Sequence, residues 1–187
     1  MKSIRNLGET AASIPILADD ILEFHAGRLL LLAKVCGTSN RIDGLTKMAK
    51  LDFFVRYPLF FDMVCETSDA GRPVLRSVES AMVRFHYGPW DTRYYHVLAY
   101  MKAKGLITVS QHGKQLRISL TELGDKTAGA LMDVAEFHDL ILHMGNVKKV
   151  LGSKSGSALK KMIYTLFDKE VAQRPLGEVI GSCQTEP

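Results

Sequence analysis

Cysteine is scarce in this chain, and the few cysteines are scattered. The sequence contains Cys36, Cys65 and Cys183, an odd number with neither disulfide-framework spacing nor a Cys-x-x-Cys pair. A secreted scaffold held together by disulfides would need more cysteines in a more regular pattern. We therefore expect three reduced and partly buried thiols that behave as small hydrophobic groups.

Long apolar runs are also missing. No stretch approaches the roughly 20 consecutive apolar residues that a helix needs to cross a bilayer. The first residues do not combine a basic patch, an apolar core and a small-residue cleavage site, as a secretory signal does. The sequence therefore predicts a cytoplasmic protein with no membrane partner.

The sequence lacks the residue patterns of common catalytic and metal centres. His138 and His143 are five residues apart, so they do not share a helix face as two metal ligands four residues apart would. No Gly-x-Ser-x-Gly motif is present, and the run over 152–157 lacks the order of a phosphate-binding loop. The prediction is therefore a protein that is not an enzyme and has no cofactor or metal.

Positive charge is modest and unevenly placed. The chain has a net charge of +4, from 24 Lys and Arg against 20 Asp and Glu. Residues 75–130 hold eight basic and four acidic side chains, whereas 1–74 and 131–187 are each balanced. The excess lies in the middle of the chain, where a basic surface would favour a polyanion or an acidic partner.

Helical periodicity dominates the first half of the chain. Apolar side chains at helical spacing predict a core helix over about 20–36 and a second helix over about 45–57, which Pro58 ends. The polar run 62–76 predicts a mobile loop, and 78–87 predicts a helical turn that passes into an extended stretch. A chain of 187 residues would form one decorated domain or two very small ones.

Residues 88–124 are the most informative segment. A Gly-Pro turn precedes a helix predicted over about 91–104, and a glycine follows that helix. Two alternating runs, 106–110 and 115–120, flank a short polar tip and predict a hairpin. A helix followed by a β-wing is typical of a winged helix-turn-helix domain, which docks on a DNA groove or on another protein.

The rest of the chain extends this domain at both ends. We predict a helix over about 125–143, a Gly/Ser/Lys linker over 152–156 and an amphipathic helix near 157–171. The predicted division is an N-terminal extension (1–18), a winged-helix domain (19–143) and a C-terminal part (144–187) ending in a flexible tail. The predicted fold class is mainly α with a small β-hairpin wing, plus C-terminal helices.

Two sets of residues are candidates for binding. The first set would present positive and aromatic side chains to DNA or a partner, because phosphate contacts need only a positive surface. Its members are Arg93, Tyr100, Lys104, Lys114 and Arg117. The second set would anchor a partner protein through apolar side chains. Its members are Trp90, Leu159, Ile163 and Phe167.

Each set has a plainer interpretation. The aromatic side chains around Trp90 would pack in the core beneath the 91–104 helix, as most clustered aromatics do. The basic hairpin would be a solvated surface that only keeps the protein soluble. Both interpretations stay open from the sequence.

Two motifs resemble a known family. The first is the run Arg41–Phe53 (RIDGLTKMAKLDF), and Arg-Tyr-Pro follows two residues later, at 56–58. The second is the run Val78–Asp91 (VESAMVRFHYGPWD). Together they resemble the middle component of bacterial three-component ABC systems, the group that includes the Lamassu antiviral defence operons. The similarity covers about residues 22–130.

The resemblance implies a function. Such components are small non-catalytic winged-helix subunits that associate with an SMC-like ABC ATPase and an effector nuclease. They couple the sensing of foreign DNA to release of the effector, so the resemblance implies a hetero-oligomeric complex with double-stranded DNA as a further candidate partner. The alternative is a stand-alone winged-helix transcription regulator, although the 91–104 helix has no Asn or Gln to read bases.

Overall fold

Most of the chain is helical, and its strands form small antiparallel sheets. The computed structural model describes residues 21–65, 82–86, 88–113, 115–168, 171 and 173–180. The helices are α1 (Leu22–Val35), α2 (Leu45–Arg56), α3 (Pro58–Cys65), α4 (Tyr94–Ala103), α5 (Glu122–Met132), α6 (His138–Leu151) and α7 (Gly156–Leu166). The strands are β1 (Arg41–Asp43), β2 (Val83–Phe85), β3 (Gly88–Trp90), β4 (Ile107–His112) and β5 (Gln115–Leu120).

Helices α1 and α2 form the centre of the core, as their sequences predict. Residues 25–33 of α1 are buried on every side, because the run Leu29–Leu32 is apolar around the whole helix. Residues 48–56 of α2 are buried as well, and α2 ends just before Pro58. The predicted helices over 20–36 and 45–57 are therefore confirmed within two residues.

A three-stranded sheet has the order β1-β5-β4, and it includes the predicted hairpin. Ile118 on β5 pairs with Ile42 on β1 and with Val109 on β4. Ile107 and Ile118 are buried, whereas Thr108 and Ser110 are exposed, as the alternating pattern predicts. The hairpin prediction is confirmed.

α4 ends shortly before a glycine, as the sequence predicts. Gly105 has a φ of 69°, a left-handed conformation that other residues adopt only with strain. Its backbone N–H donates to the Lys102 carbonyl at 2.9 Å, and the Leu106 N–H donates to the Met101 carbonyl at 2.9 Å. These bonds satisfy carbonyls at the helix end and turn the chain into β4.

The predicted helix over 125–143 is wrong, because two helices occupy this region. α5 ends at Met132, and an extended residue (Val134) and a 3₁₀ turn (Ala135–Phe137) precede α6. α6 then runs through the predicted domain boundary at 143/144 and buries side chains on both sides of it. The boundary therefore lies inside a packed helix, and α6 belongs to the same core as α1 and α2.

The C-terminal segment is better ordered than predicted. Residues 173–180 lie against β2, with the Arg84 N–H donating to the Glu178 carbonyl and the Ile180 N–H to the Met82 carbonyl, both at 2.8 Å. Ile180 is fully buried. The expected flexible tail is therefore wrong for 173–180, because backbone pairing and one buried side chain hold it in place.

Several expectations fall outside the described residues. They concern the extension 1–18, most of the loop 62–76, the start of the 78–87 segment, Lys114 and the last residues of the tail. Residues 62–65 belong to α3, and 83–85 form a strand as the extended pattern predicts. Cys36 and Cys65 are free thiols. None of the helices in the described part of the chain has the length and apolarity that a membrane span requires.

Candidate functional site

The exposed face of α4, together with the β4–β5 hairpin, is the candidate functional site. α4 packs against α1 and buries an apolar stripe made of Tyr94, Val97, Leu98 and Met101. Because a helix turns by about 100° per residue, the residues between those of the buried stripe lie on the opposite face of α4. The exposed residues are Thr92, Tyr95, His96, Ala99, Lys102, Ala103 and Lys104.

Buried charges position the N-terminus of α4. Asp91 accepts hydrogen bonds from the Arg93 backbone (2.9 Å) and from Nε (2.8 Å) and Nη2 (2.7 Å) of its guanidinium. It also accepts one from Nη1 of Arg56 on α2 at 2.8 Å. Burial alone would raise the pKa of Asp91, but these hydrogen bonds and the Arg56 charge hold it well below its usual range. Asp91 therefore stays ionised and ties α4 to α2.

A second buried carboxylate joins three helices. Asp52 of α2 accepts hydrogen bonds from Nε (2.9 Å) and Nη2 (3.2 Å) of Arg28 on α1. The Tyr94 hydroxyl of α4 donates to the same carboxylate at 2.7 Å. Burial and the Asp52 charge raise the pKa of Tyr94 well above its usual value. Such a network fixes the rotation of α4 about its axis, because any other rotation would leave the buried Tyr94 hydroxyl without its acceptor.

The first predicted set is only partly available at the surface. Arg93 is turned inward: its side chain is 19% exposed, and Nη1 lies 3.0 Å from Nε2 of the buried His25. The Tyr100 hydroxyl donates to Glu23 on α1 at 3.3 Å. Arg117 donates to Asp43 at 2.8 Å, which compensates its charge. Asp91 holds the Arg93 guanidinium, so little of it is offered at the surface, and its role in binding DNA or a partner stays a prediction.

Lys104 keeps the position that the sequence predicts. It is exposed, and its Nζ lies 5.6 Å from the centroid of the Tyr100 ring. Lys104 and Lys102 are the lysines that the end of α4 presents to solvent. Within the first predicted set, Lys104 is therefore exposed, whereas Arg93 is partly buried.

The second predicted set lies in the core. Leu159, Ile163 and Phe167 are fully buried, because the apolar face of α7 packs against α2. Trp90 is 9% exposed. The expectation that these side chains anchor a partner protein is therefore wrong for the three α7 residues. The amphipathic pattern was satisfied within the chain, which periodicity alone does not reveal.

An aromatic patch lies where the sequence left open whether the aromatic side chains around Trp90 bind a partner or pack in the core. It consists of the exposed Phe85 and Tyr95 and of Trp90, which is nearly buried. Phe85 is 42% exposed and stacks on Trp90 with ring centroids 5.9 Å apart. Tyr95 is 65% exposed, and its ring centroid lies 5.7 Å from that of Trp90. Tyr95 directly follows the buried Tyr94, so helical spacing from Tyr94 would have indicated its exposure.

One lysine of α2 lies in the core, although the helical spacing of the apolar residues of α2 would place it away from their stripe. Lys50 on α2 is fully buried, and its Nζ donates to the Pro89 carbonyl at 2.8 Å. Burial, followed by the charge of Lys160, lowers the pKa of Lys50 from 10.5 to about 7. The bond connects α2 to β3, the strand that leads into α4. Lys50 therefore supports the site from behind.

Metal chemistry has no candidate cluster here. Within the described ranges, no group of three or more His, Cys, Asp or Glu side chains could hold a metal ion. The charged groups at the start of α4, which are Arg56, Asp91 and Arg93, are instead bonded to one another.

Known proteins do not identify the chain by similarity. No protein-family model matches it, and neither a curated protein nor a solved structure matches it. The features that bear on function are therefore the α4 face, the hairpin and the two sequence motifs.

Proposed function

We propose that this protein is a non-catalytic winged-helix subunit of a Lamassu-like defence complex. In that complex it bridges an SMC-like ABC ATPase to an effector nuclease, and it couples the sensing of foreign DNA to release of the nuclease. The runs 41–53 and 78–91 support the family part of the proposal through their resemblance. The surface chemistry of α4 supports the bridging part.

The order of the elements supports a winged-helix domain. α1, β1, α2 and α4 precede the β4–β5 hairpin, and β5 lies between β1 and β4 in the sheet. The helix before the hairpin then has the place of the docking helix, and the hairpin has the place of the wing. α4 is therefore the element on which a partner would dock.

The composition of the α4 face carries the proposal that the partner is a protein. Base edges in DNA are read best by Arg, Asn and Gln, and the exposed residues of α4 include none of these. The face presents Tyr95 beside the small residues Ala99 and Ala103. Tyrosine and tryptophan dominate the energetic centres of protein interfaces, and small neighbours let a partner approach closely. The aromatic patch therefore favours a protein partner.

A second candidate function is a stand-alone winged-helix transcription regulator. The exposed Lys102 and Lys104, with polar side chains along β4, favour it because they suit contacts to DNA phosphates. The exposed face of α4 has no Arg, Asn or Gln, so this function ranks below the first proposal.

The experiment that tests the proposal is co-purification. The tagged chain is expressed with the proteins encoded by its neighbouring genes, and the recovered proteins are identified by mass spectrometry. We expect an SMC-like ATPase and a nuclease to be recovered with the wild-type chain. Replacing Tyr95 by Ala should weaken the complex by about 2 kcal/mol, or about 30-fold in Kd, as for an interface hot spot.

The matched control is Leu142→Ala, which truncates an exposed apolar side chain on α6. It should leave recovery unchanged, because Leu142 lies outside the α4 face and the hairpin. Recovery of the chain alone with a defined DNA fragment would contradict the proposal and favour the transcription regulator.

A further inference from the structure

Lysines are concentrated in one stretch near the C-terminal end of the fold. Residues 140–167 contain five lysines and no Asp or Glu, so this stretch alone exceeds the +4 net charge of the whole chain. The lysines are Lys148, Lys149, Lys154, Lys160 and Lys161. The net charge of 131–187 as a whole does not reveal this cluster, because acidic residues on either side of it balance its charge.

The fold adds further positive charge to this stretch. α7 folds back so that its first residue lies against the first turn of α2. A Cβ at Gly156 would lie 3.0 Å from the backbone nitrogen of Lys47, so the glycine permits this close approach. Between the two helix starts and β5 lies a groove of about 410 Å³, lined in part by Lys47 and Lys160.

The electrostatics of the groove are positive. The N-terminus of each helix carries a partial positive charge, and two such ends meet here. Among the described residues, no side chain caps the first turn of α2, whereas Ser155 caps α7 by accepting a hydrogen bond from the Ala158 N–H at 3.1 Å. Lys47 Nζ donates to the Gly152 carbonyl at 2.7 Å, and burial, followed by the charge of Lys148, lowers the pKa of Lys47. Asp43 also lines the groove, but it accepts hydrogen bonds from Arg117 (2.8 Å) and Arg41 (3.3 Å), which offset its charge.

We infer that this groove and the lysines beside it bind the phosphate backbone of duplex DNA. DNA phosphates are contacted by Lys amines, by Ser, Thr and Gln side chains and by backbone N–H groups at helix starts. The groove offers the same set, since Thr46, Ser157 and Gln115 line it beside the lysines. Such contacts carry no sequence code, so the binding is expected to be independent of DNA sequence.

Other anionic partners fit the surface less well. A membrane surface is bound by lysines next to large apolar side chains, which insert between the lipids. Among the residues lining the groove, Leu116 is a large apolar side chain that is 40% exposed, and the exposed residues at the start of α7 (155–161) include none, so the surface offers little for insertion between lipids. The inference goes beyond the proposed function, because it needs neither a partner protein nor the α4 face.

The test measures binding of a fluorescein-labelled duplex by anisotropy. The variant Lys154→Gln with Lys160→Gln and Lys161→Gln should bind at least about 10-fold more weakly at about 100 mM salt. The slope of log K against log salt should fall by about 2 to 3, since three phosphate contacts are lost. The corresponding triple Lys→Arg variant should keep wild-type affinity, because it keeps the charge.

Lys160→Gln alone should already weaken binding, and the control matched to it in charge is Lys126→Gln, at an exposed position on α5 outside the groove lining and the α4 face. It should stay within about 3-fold of wild type. An equal loss in this control, or a wild-type chain that does not bind the duplex, would overturn the inference. So would tighter binding to an acidic peptide or to phosphatidylserine vesicles than to the duplex. None of these results bears on co-purification with the ATPase.

Discussion

Single residues in the core of this protein carry charge that a hydrophobic pattern does not anticipate. Arg28, Asp52, Arg56 and Asp91 are buried and bonded to one another across helices. Lys50 differs, because it donates to a backbone carbonyl instead of to a carboxylate. A buried ammonium with such a partner is destabilising relative to a neutral side chain of similar size.

Replacing Lys50 by Met tests this at the residue scale. The folded pKa is about 7 and the usual value is 10.5, so the unfolded chain binds the proton more tightly between these values. The free energy of unfolding of the wild-type protein should therefore rise with pH from about 7 towards 10. The Lys50→Met variant should lose this rise and be more stable below pH 7, by on the order of 2 kcal/mol.

Urea denaturation at several pH values between 6 and 9 measures both effects. Lys102→Met, at an exposed position, is the control and should keep the wild-type pH profile. A variant at position 50 that retains the rise would show that another group causes it.

Helix α5 shows how an element depends on what it contacts. The Thr121 hydroxyl accepts a hydrogen bond from the Gly124 N–H at 2.9 Å and donates to the Gly105 carbonyl at 2.6 Å. The start of α5 is thereby pinned to the turn that follows α4. Gly124 permits the approach, because a Cβ there would lie 1.9 Å from the Leu106 carbonyl oxygen.

Two glycines of α5 give an element-scale prediction. Gly124→Ala should lower the free energy of unfolding by about 2 kcal/mol or more, because the methyl group overlaps the backbone of Leu106. Gly129→Ala should raise it by about 0.5–1 kcal/mol, since a Cβ at Gly129 would meet no described atom within 4 Å. Denaturation curves of both variants measure the two changes in the free energy of unfolding. Changes of the same sign would contradict the packing described for these glycines.

Over the whole molecule, α7 completes the core instead of projecting from it. The Phe167 ring packs edge-on against Phe60 with centroids 4.7 Å apart, and it also contacts Phe53 and Phe54. These aromatic rings join the C-terminal end of the fold to α2 and α3. The described helices therefore share one hydrophobic core.

Adjacent residues at the end of α7 test this. Phe167→Ala should destabilise the protein by about 3–5 kcal/mol, because it leaves a cavity in the core. Leu166→Ala, at a residue that is 50% exposed, should change stability by about 0.5 kcal/mol or less. Thermal unfolding of both variants measures the difference. If both variants changed stability by a similarly small amount, Phe167 would not be a core residue and could be the surface anchor that the sequence predicted.

Much of the local structure was determined by the sequence itself. Pro58 ends α2, Gly105 ends α4, and alternation over 107–120 makes the hairpin. Each of these depends on backbone geometry or on neighbours a few residues away, so the residues that cause it can be read directly. The hairpin part of the candidate site was predictable for this reason.

The tertiary structure alone decided which side chains reach the surface. It turned Arg93 towards His25, buried the apolar face of α7 against α2, and brought Gly156 beside Lys47. These contacts join residues that are far apart in the chain, and a periodic pattern does not identify the partner of an apolar or charged face. The packing of the helices therefore decided which members of the aromatic cluster are exposed, and it brought Lys47 and Lys160 into one groove.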